Sequence, residues 1–401
     1  MKYLDNYKQY ENLQYLNIEL QMIVAEFFTA VGISNRFEIE EDGKVKVQGD
    51  VYIRANSFNP EVYRRTRKYD RIPFQFATIR GDFTIDGLNL TTLEGFPEHV
   101  TESVTLVNLS KVKSLKGITR IVGGILEVKN CGFESLEGFP EHIELAVDID
   151  DIPIKTLKGL PETVNYDLTI SKTKIASLEG APKRCEGSFE CTDNKSLFYL
   201  RGCPEWVGGD LRLQKNKLSN CRGLPKHIGG SLNLAGNQLT SLKGCPEVIY
   251  HNFQCQVNQL TDLKGGPREV GERYDVSDNE LTSLEGLPKD LTFFLASNNL
   301  SLCDPNFLKD VNIEMGCNLS STPLHTLIMQ FYQDGMTTPD IIIKNFIPSL
   351  DYGYFRMVKG KPCLIEHRLL EALDELGIKT YDKTRLNYVG YNIVDENLFI
   401  I

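Results

Sequence analysis

No stretch of this chain approaches the roughly eighteen consecutive apolar residues that a membrane-spanning helix needs. The opening Met1-Lys2-Tyr3-Leu4-Asp5 lacks the apolar core of a secretory leader. Ten cysteines are present, yet none form Cys-x-x-C and no zinc-type spacing occurs. Phosphate loops, nucleophile elbows and metal-binding helices are also missing, which removes the commonest sequence routes to an enzyme. Of six histidines, His99, His142 and His227 share one repeat position and read as structural or surface residues. A net charge of −10 argues against non-specific nucleic-acid binding. Cysteines at apolar repeat positions, such as Cys221 and Cys255, behave as small buried hydrophobes. They point to a reducing, cytoplasmic location.

What is present is one recurring slot. Leu-x-Gly-x-Pro occurs at Leu93-Gly95-Pro97, Leu136-Gly138-Pro140, Leu157-Gly159-Pro161, Leu178-Gly180-Pro182, Leu242-Gly244-Pro246, Leu263-Gly265-Pro267 and Leu284-Gly286-Pro288. Degenerate copies stand at Leu115-Gly117, Leu200-Gly202-Pro204 and Gly223-Pro225. A fixed period of 21 or 22 residues means stacked, near-identical coils. In the coil from Ile228 to Pro246, Leu232-Asn233-Leu234 is a short alternating strand with its leucines on one side. Pro246 breaks any helix on the return path, and Gly244 is free to take positive φ. The back of each coil is therefore expected to be extended or turn-like.

Inward strand pairs follow the period: Phe83/Ile85, Val104/Leu106, Leu126/Val128, Val147/Ile149 and Leu168/Ile170 in the first part of the chain. They continue through Phe189/Cys191, Leu211/Leu213, Leu232/Leu234, Phe253/Cys255 and Tyr274/Val276 to Phe293/Leu295. Val51/Ile53 is an earlier copy. Asn194, Asn216, Asn237, Asn258, Asn279 and Asn298 also recur, and their amides can form a ladder between coils. Earlier coils place Ser110, Cys131, Ile152 and Thr173 there, so that half is expected to be less regular.

Both ends differ. Residues 11–31 carry the stripe Leu13, Leu16, Leu20, Ile23, Val24, Phe27 and Phe28 of a capping helix. A hairpin follows around Asp42-Gly43. Residues 54–80 interrupt the repeats and hold Arg64, Arg65, Arg67, Lys68 and Arg71, a possible phosphate or acidic-partner contact or else a solvated face. After Cys303-Asp304-Pro305 the spacing predicts short helices beginning at Thr322-Pro323 and Thr338-Pro339. It also predicts a helix over 362–376, strands at Tyr388-Val389 and 391–394, and an apolar tail Leu398-Phe399-Ile400-Ile401.

The motif L-x-L-x-x-N-x-L with its trailing Ser-Leu-x-Gly-x-Pro resembles leucine-rich repeat proteins over residues 49–302. The endings at 240–246 and 282–288 look most like the short-repeat proteins of bacteria and large bacteriophages. It departs from the family in one respect: Ile228 stands four residues before Leu232 rather than three, and Gly-Gly pairs at 123–124, 208–209 and 229–230 can absorb the extra residue. The expected fold is a leucine-rich repeat solenoid. Its parts are a curved parallel β-sheet with a mostly non-helical convex side, a helical N-terminal cap (1–48), repeats over 49–302 and a small α+β C-terminal domain (303–401).

The resemblance implies binding rather than chemistry. Candidate partner residues on the concave strands are Glu127, Asp148, Asp150, Asp167, Glu190, Arg212, Gln254 and Arg273. They suggest an acidic centre with a mixed far end that holds a protein. No D-x-D-x-D-G loop suggests calcium, and neither a metal nor another cofactor is expected. The leading expectation is a non-enzymatic scaffold of phage or bacterial type, active in virion assembly or host-protein capture, in the host cytoplasm or the virion. A second reading is an effector enzyme: bacterial effector ubiquitin ligases join such a solenoid to a domain with a Cys-x-Asp nucleophile motif, whereas this chain has Cys303-Asp304 with no spacer. A third is nucleic-acid contact through the basic insertion.

Overall fold

A computed structural model of the chain describes residues 18–55, 64–66, 68–309, 311–331, 346 and 349–395. It is a parallel β-solenoid of about 11 turns with repeats of about 21 residues and little helix between residues 78 and 318. The chain divides into two compact units, Met1–Pro204 and Glu205–Ile401.

In the first unit the front sheet is built from Val51–Arg54, Phe83–Asp86, Val104–Val107, Ile125–Lys129, Ala146–Asp150, Asp167–Ser171 and Phe189–Thr192, all parallel. Each strand pairs with the next at the repeat spacing, as in Val104↔Leu126 and Leu126↔Val147. Inward side chains at both strand positions are fully buried, Leu168 and Ile170 among them. The back of the coil is indeed extended, and it also carries a second row of short strands. Val45–Gln48, Phe76–Arg80, His99–Val100, Ile121–Val122 and His142–Ile143 pair in parallel, and Thr163–Val164 pairs with Arg184–Cys185. In these two-residue strands the first side chain faces out and the second (Val100, Val122, Ile143, Val164, Cys185) enters the core. The extra residue noted before the front strand is the corner that separates the two rows.

The repeated glycine has two physical reasons. Every glycine of the Leu-x-Gly-x-Pro slots has φ between 78° and 112°, a left-handed region that costs other residues free energy. It also lies against the preceding coil: a Cβ on Gly180 would meet the Lys158 nitrogen at 2.3 Å, and one on Gly286 the Leu263 oxygen at 2.4 Å. A second left-handed position follows each front strand. Asn108, Asn130, Asp151, Lys172 and Asp193 occupy it in the first unit, and Lys215, Val257, Asp278 and Asn298 in the second, with φ between 49° and 60°.

The second unit continues the pattern with front strands Leu211–Arg212, Leu232–Asn233, Phe253–Gln254, Arg273–Asp275, Asp290–Leu295 and Asn312–Asn318. Its back row pairs Trp206–Val207 with His227–Ile228 and Val248–Ile249 with Glu269–Val270. Here two expectations need correction. Tyr274 pairs with Phe294, and the inward pair is Phe294 and Ala296 rather than Phe293 and Leu295. The cause is one missing residue. Val270 stands four before Tyr274, but Leu291 stands only three before Phe294, so the corner vanishes and both rows merge into the six-residue strand Asp290–Leu295. The next strand has the residue back and takes it as a bulge instead, between the pairs Leu291↔Ile313 and Phe293↔Gly316. The same shift makes Asn299 the buried asparagine, while Asn298 is the exposed left-handed residue before it. In the first unit the equivalent of Asn237 is the buried Leu109, not Ser110, because it directly follows left-handed Asn108.

The asparagines form the expected ladder. Asn258 Nδ2 donates to Leu234 O and Cys255 O, each at 3.1 Å, and its Oδ1 accepts from Leu239 N at 3.0 Å. Asn237, Asn279 and Asn299 repeat this with their own neighbours. Each amide thus ties its own coil to the one before it.

The N-terminal helix is described over residues 18–31. Leu13 and Leu16 of its anticipated stripe lie outside the described residues. Phe27 packs edge-on against Tyr69 and Phe74, and Phe28 against Phe37. At the other end Thr322 stands after left-handed Ser321 and caps the helix Pro323–Ile328 by accepting from His325 N at 2.9 Å. The C-terminal α+β region corrects two further readings. Residues 361–365 are a strand, Lys361–Ile365, paired antiparallel with Phe355–Val358 through left-handed Lys359 and Gly360, so the helix is Glu366–Glu375. Tyr388 ends the helix Lys383–Tyr388, and only Asn392–Val394 is a strand. The helix start expected at Thr338-Pro339 and the tail Leu398–Ile401 lie outside the described residues.

Candidate functional site

Strand alternation lays the front face out in columns. In the first unit Glu127, Asp148, Thr169 and Glu190 are cross-strand neighbours in one column, and Lys129, Asp150, Ser171 and Thr192 in the next. All eight are half-buried. The acidic centre is partly neutralised by its own coils. Lys129 Nζ lies 2.5 Å from Glu127 and 3.1 Å from Asp148, and these contacts, Glu127 foremost, raise its pKa against the effect of burial. Lys172 Nζ lies 3.0 Å from both Asp150 oxygens, and Ser171 Oγ donates to Asp150 at 2.6 Å. Burial works to raise the Asp150 carboxyl, but Ser171 and Lys172 outweigh it and hold the pKa below the ordinary value.

Asp167 stands at the corner end of its strand, where its Oδ1 accepts from Ser188 N of the following coil at 2.6 Å. In the second unit Asp210 does the same for Ser231 N at 2.7 Å, and Arg212 donates to the other Asp210 oxygen at 2.6 Å. Gln254 lies half-buried between Asn233 and Asp275, and Arg273 is exposed at the corner. The structure therefore groups Glu127, Asp148, Asp150 and Glu190 on one face of the first unit. Arg212, Gln254 and Arg273 belong to the second.

Two residues of the basic insertion, Lys68 and Arg71, are tied to carboxylates. Lys68 lies 2.6 Å from Glu26 of the N-terminal helix, with its ammonium 4.9 Å above the Tyr69 ring. Arg71 reaches Glu94 at 3.3 Å and Asp70 at 3.5 Å. Arg64 and Arg65 are exposed on the helical residues 64–66, and Arg67 lies outside the described residues.

Thiol chemistry has little support in the surroundings. Burial, and secondarily Asp304, pushes the Cys303 thiol up to about 11, opposite to the shift that activates a nucleophile. The Cys303 carbonyl accepts from the Tyr391 hydroxyl at 2.8 Å. Cys317 and Cys363 are buried as well. Among the described residues no group of three or more His, Cys, Asp or Glu side chains is placed to hold a metal ion, and no helix is long and apolar enough to cross a membrane.

Sequence reasoning passed over one position. In most coils, though not at Ser114 or Ser177, the residue before the slot leucine caps its own turn: Ser135 accepts from Glu137 N at 3.0 Å, Thr156 from Lys158 N at 3.3 Å and Ser241 from Lys243 N at 3.2 Å. Asn220, Asp262 and Ser283 act likewise. At residue 199 this position is a tyrosine, paired with Ser177 of the previous coil, 65% exposed and beside Phe198, itself 46% exposed. The break was visible as Tyr-Leu-Arg-Gly where other coils read Ser-Leu-x-Gly. No family model matches the chain, and neither a curated protein nor a solved structure matches it.

Proposed function

We propose that this chain is a non-catalytic binding scaffold of the leucine-rich repeat kind, of short-repeat bacterial or bacteriophage type, whose front face holds a protein partner. The observation that carries this reading is the division of labour within each coil. Leucines, asparagine, glycine and proline are spent on the core of the stack, whereas the outward columns stay out of that core, are joined between coils only by polar contacts such as Lys129 with Asp148, and vary from coil to coil. A surface whose side chains the core does not need is what solenoids use for recognition. The half-buried column Glu127, Asp148 and Glu190 beside Asp150 is the natural anchor in the first unit. Virion assembly and host-protein capture both suit such a scaffold. The enzyme reading is the weaker one, because the Cys303 thiol is raised rather than lowered.

The test is a pull-down from bacterial lysate with the full chain and with the triple change Glu127→Lys, Asp148→Lys and Glu190→Lys. Loss of a partner with retained circular dichroism supports the reading. Identical partners from both proteins count against the front face. Selective alkylation of Cys303 at neutral pH would favour the enzyme reading instead.

A further inference from the structure

We infer that the first unit carries a second binding surface, away from the front face, that takes single-stranded nucleic acid through the aromatic pair Phe198 and Tyr199 and the lysines Lys155, Lys174 and Lys195. Three observations converge there. First, Tyr199 stands where Thr92, Ser135, Thr156, Asn220, Ser241, Asp262 and Ser283 cap their turns, and it exposes an aromatic ring there in place of a small polar side chain; such a break in a local rule marks function. The two rings are tilted at 53° with centroids 6.3 Å apart, and both are open to solvent. Second, Lys155, Lys174 and Lys195 are exposed and make no ion pair within 4.0 Å among the described residues, Lys155 and Lys174 acting on Glu134 only at longer range, although other lysines on this unit do pair, such as Lys113 with Glu134 and Lys116 with Glu137. Third, the coils bring these residues together. Lys174 N donates to Ile154 O beside Lys155, and Phe198 N and Tyr199 N both lie against Ala176 O, two residues beyond Lys174. Arg201 adds a cation that is 79% exposed and only 3.9 Å from Glu179.

Exposed rings stack on bases irrespective of sequence, and unpaired ammonium groups alongside meet phosphates. An acidic protein would use the lysines but would gain little from two bare aromatic faces. The overall charge of −10 does not oppose this locally, because fields from distant acids are screened within about 10 Å at 0.1 M salt.

The test is fluorescence anisotropy of the full chain with a labelled oligothymidylate of roughly 12 nucleotides at low salt. Binding is expected to weaken at least about tenfold in Phe198→Ala/Tyr199→Ala. In Lys155→Gln/Lys174→Gln/Lys195→Gln the slope of log affinity against log salt should fall by about 2. All five side chains are exposed, so circular dichroism should be unchanged. Absence of binding at low salt overturns the proposal. So does binding that survives the aromatic change and is competed equally by polyglutamate, because the surface would then be a plain charge patch for acidic proteins.

Discussion

In the first unit Leu109, Cys131, Ile152 and Thr173 follow the left-handed residue that closes the front strand, and Asn194 does so only in its last coil; in the second, Asn216, Asn237, Asn258, Asn279 and Asn299 stand in that place. The strands differ in step. Ile125–Lys129 and Ala146–Asp150 run for five residues, while Leu211–Arg212, Leu232–Asn233 and Phe253–Gln254 run for two. Hydrogen bonding links the two facts. In the second unit Leu234 O accepts from Asn237 Nδ2 at 2.9 Å and from Asn258 Nδ2 at 3.1 Å, so side chains satisfy a carbonyl between the main-chain bonds Leu234 N to Gln254 O and Gly236 N to Gln256 O. In the first unit Asp150 still pairs with Lys129 and Ser171 along the main chain. A buried amide and a longer strand thus serve one requirement, that no main-chain polar group be left unpaired in the core, and the coil of Phe189–Thr192 with Asn194 combines them.

The largest expected effect comes from breaking that exchange. Asn258→Leu removes the acceptor of Leu239 N and one of the two amide donors to each of Leu234 O and Cys255 O, which keep Asn237 and Asn279, in a buried site. Leu239 N is the one group left without a partner, and an orphaned buried group costs about 1–3 kcal/mol, so a loss of that order is expected in urea denaturation. Hydrogen exchange should rise first around residues 234–260. Placing the amide where the strand already does the work, as in Ile152→Asn, should also destabilise, because it buries a polar group without prepared partners. A cost for Asn258→Leu within the roughly 0.5 kcal/mol of an ordinary surface change would end the ladder account.

How far this comparison was legible in the sequence depends on the distance over which each feature acts. Inward leucines, the slot glycine and the asparagine ladder show because they repeat with the period. The second row of strands did not, since two residues such as His142-Ile143 are too short to show alternation. Counting by 21 also slid past the missing corner residue before Phe294, which displaced the strand register and the last asparagine by one. Of the candidate front-face residues, the column positions could be read from alternation. The ion pairs that temper them could not, because Lys129 with Asp148 and Lys172 with Asp150 join different coils. The lysines beside Phe198 were invisible for the same reason: the contiguous cluster at 64–71 drew attention, while the cations left unpaired lie about one repeat apart.

Smaller effects sharpen the contrast by moving each unit toward the other. Val257 holds φ at 59°, where a β-branched side chain is strained and where other coils use asparagine, aspartate, lysine or glycine. Val257→Asn should therefore stabilise by about 1 kcal/mol, read as a higher denaturation midpoint. In the first unit Cys131 acts as a weak asparagine, its thiol lying 3.2 Å from Lys129 O and 3.5 Å from Leu106 O. Cys131→Asn offers those carbonyls stronger donors and should gain up to about 1 kcal/mol. A clear loss there would mean that the five-residue strand leaves no room for an amide.

The smallest effect is pH dependence, and it should separate the units. In the second unit burial, aided by Arg385, lowers the His325 pKa below 6.5. The unfolded chain therefore binds the proton more readily. Stability is complete above about pH 6.5 and falls as pH drops toward the folded value. In the first unit the Asp150 carboxyl is also lowered, so its contribution is complete above about pH 4 and disappears only as pH falls through the folded value. Between pH 7 and 5 the first unit should be unaffected by these groups while the second loses a fraction of a kcal/mol. Trp206, the one tryptophan, belongs to the second unit and reports it directly. Its urea midpoint should drift down over that interval in the parent chain and stay level in His325→Gln. Asp150→Asn should leave that drift intact and flatten only the acid limb seen by hydrogen exchange in residues 125–172. If His325→Gln leaves the Trp206 drift in place, then some group other than His325 titrates on folding of the second unit.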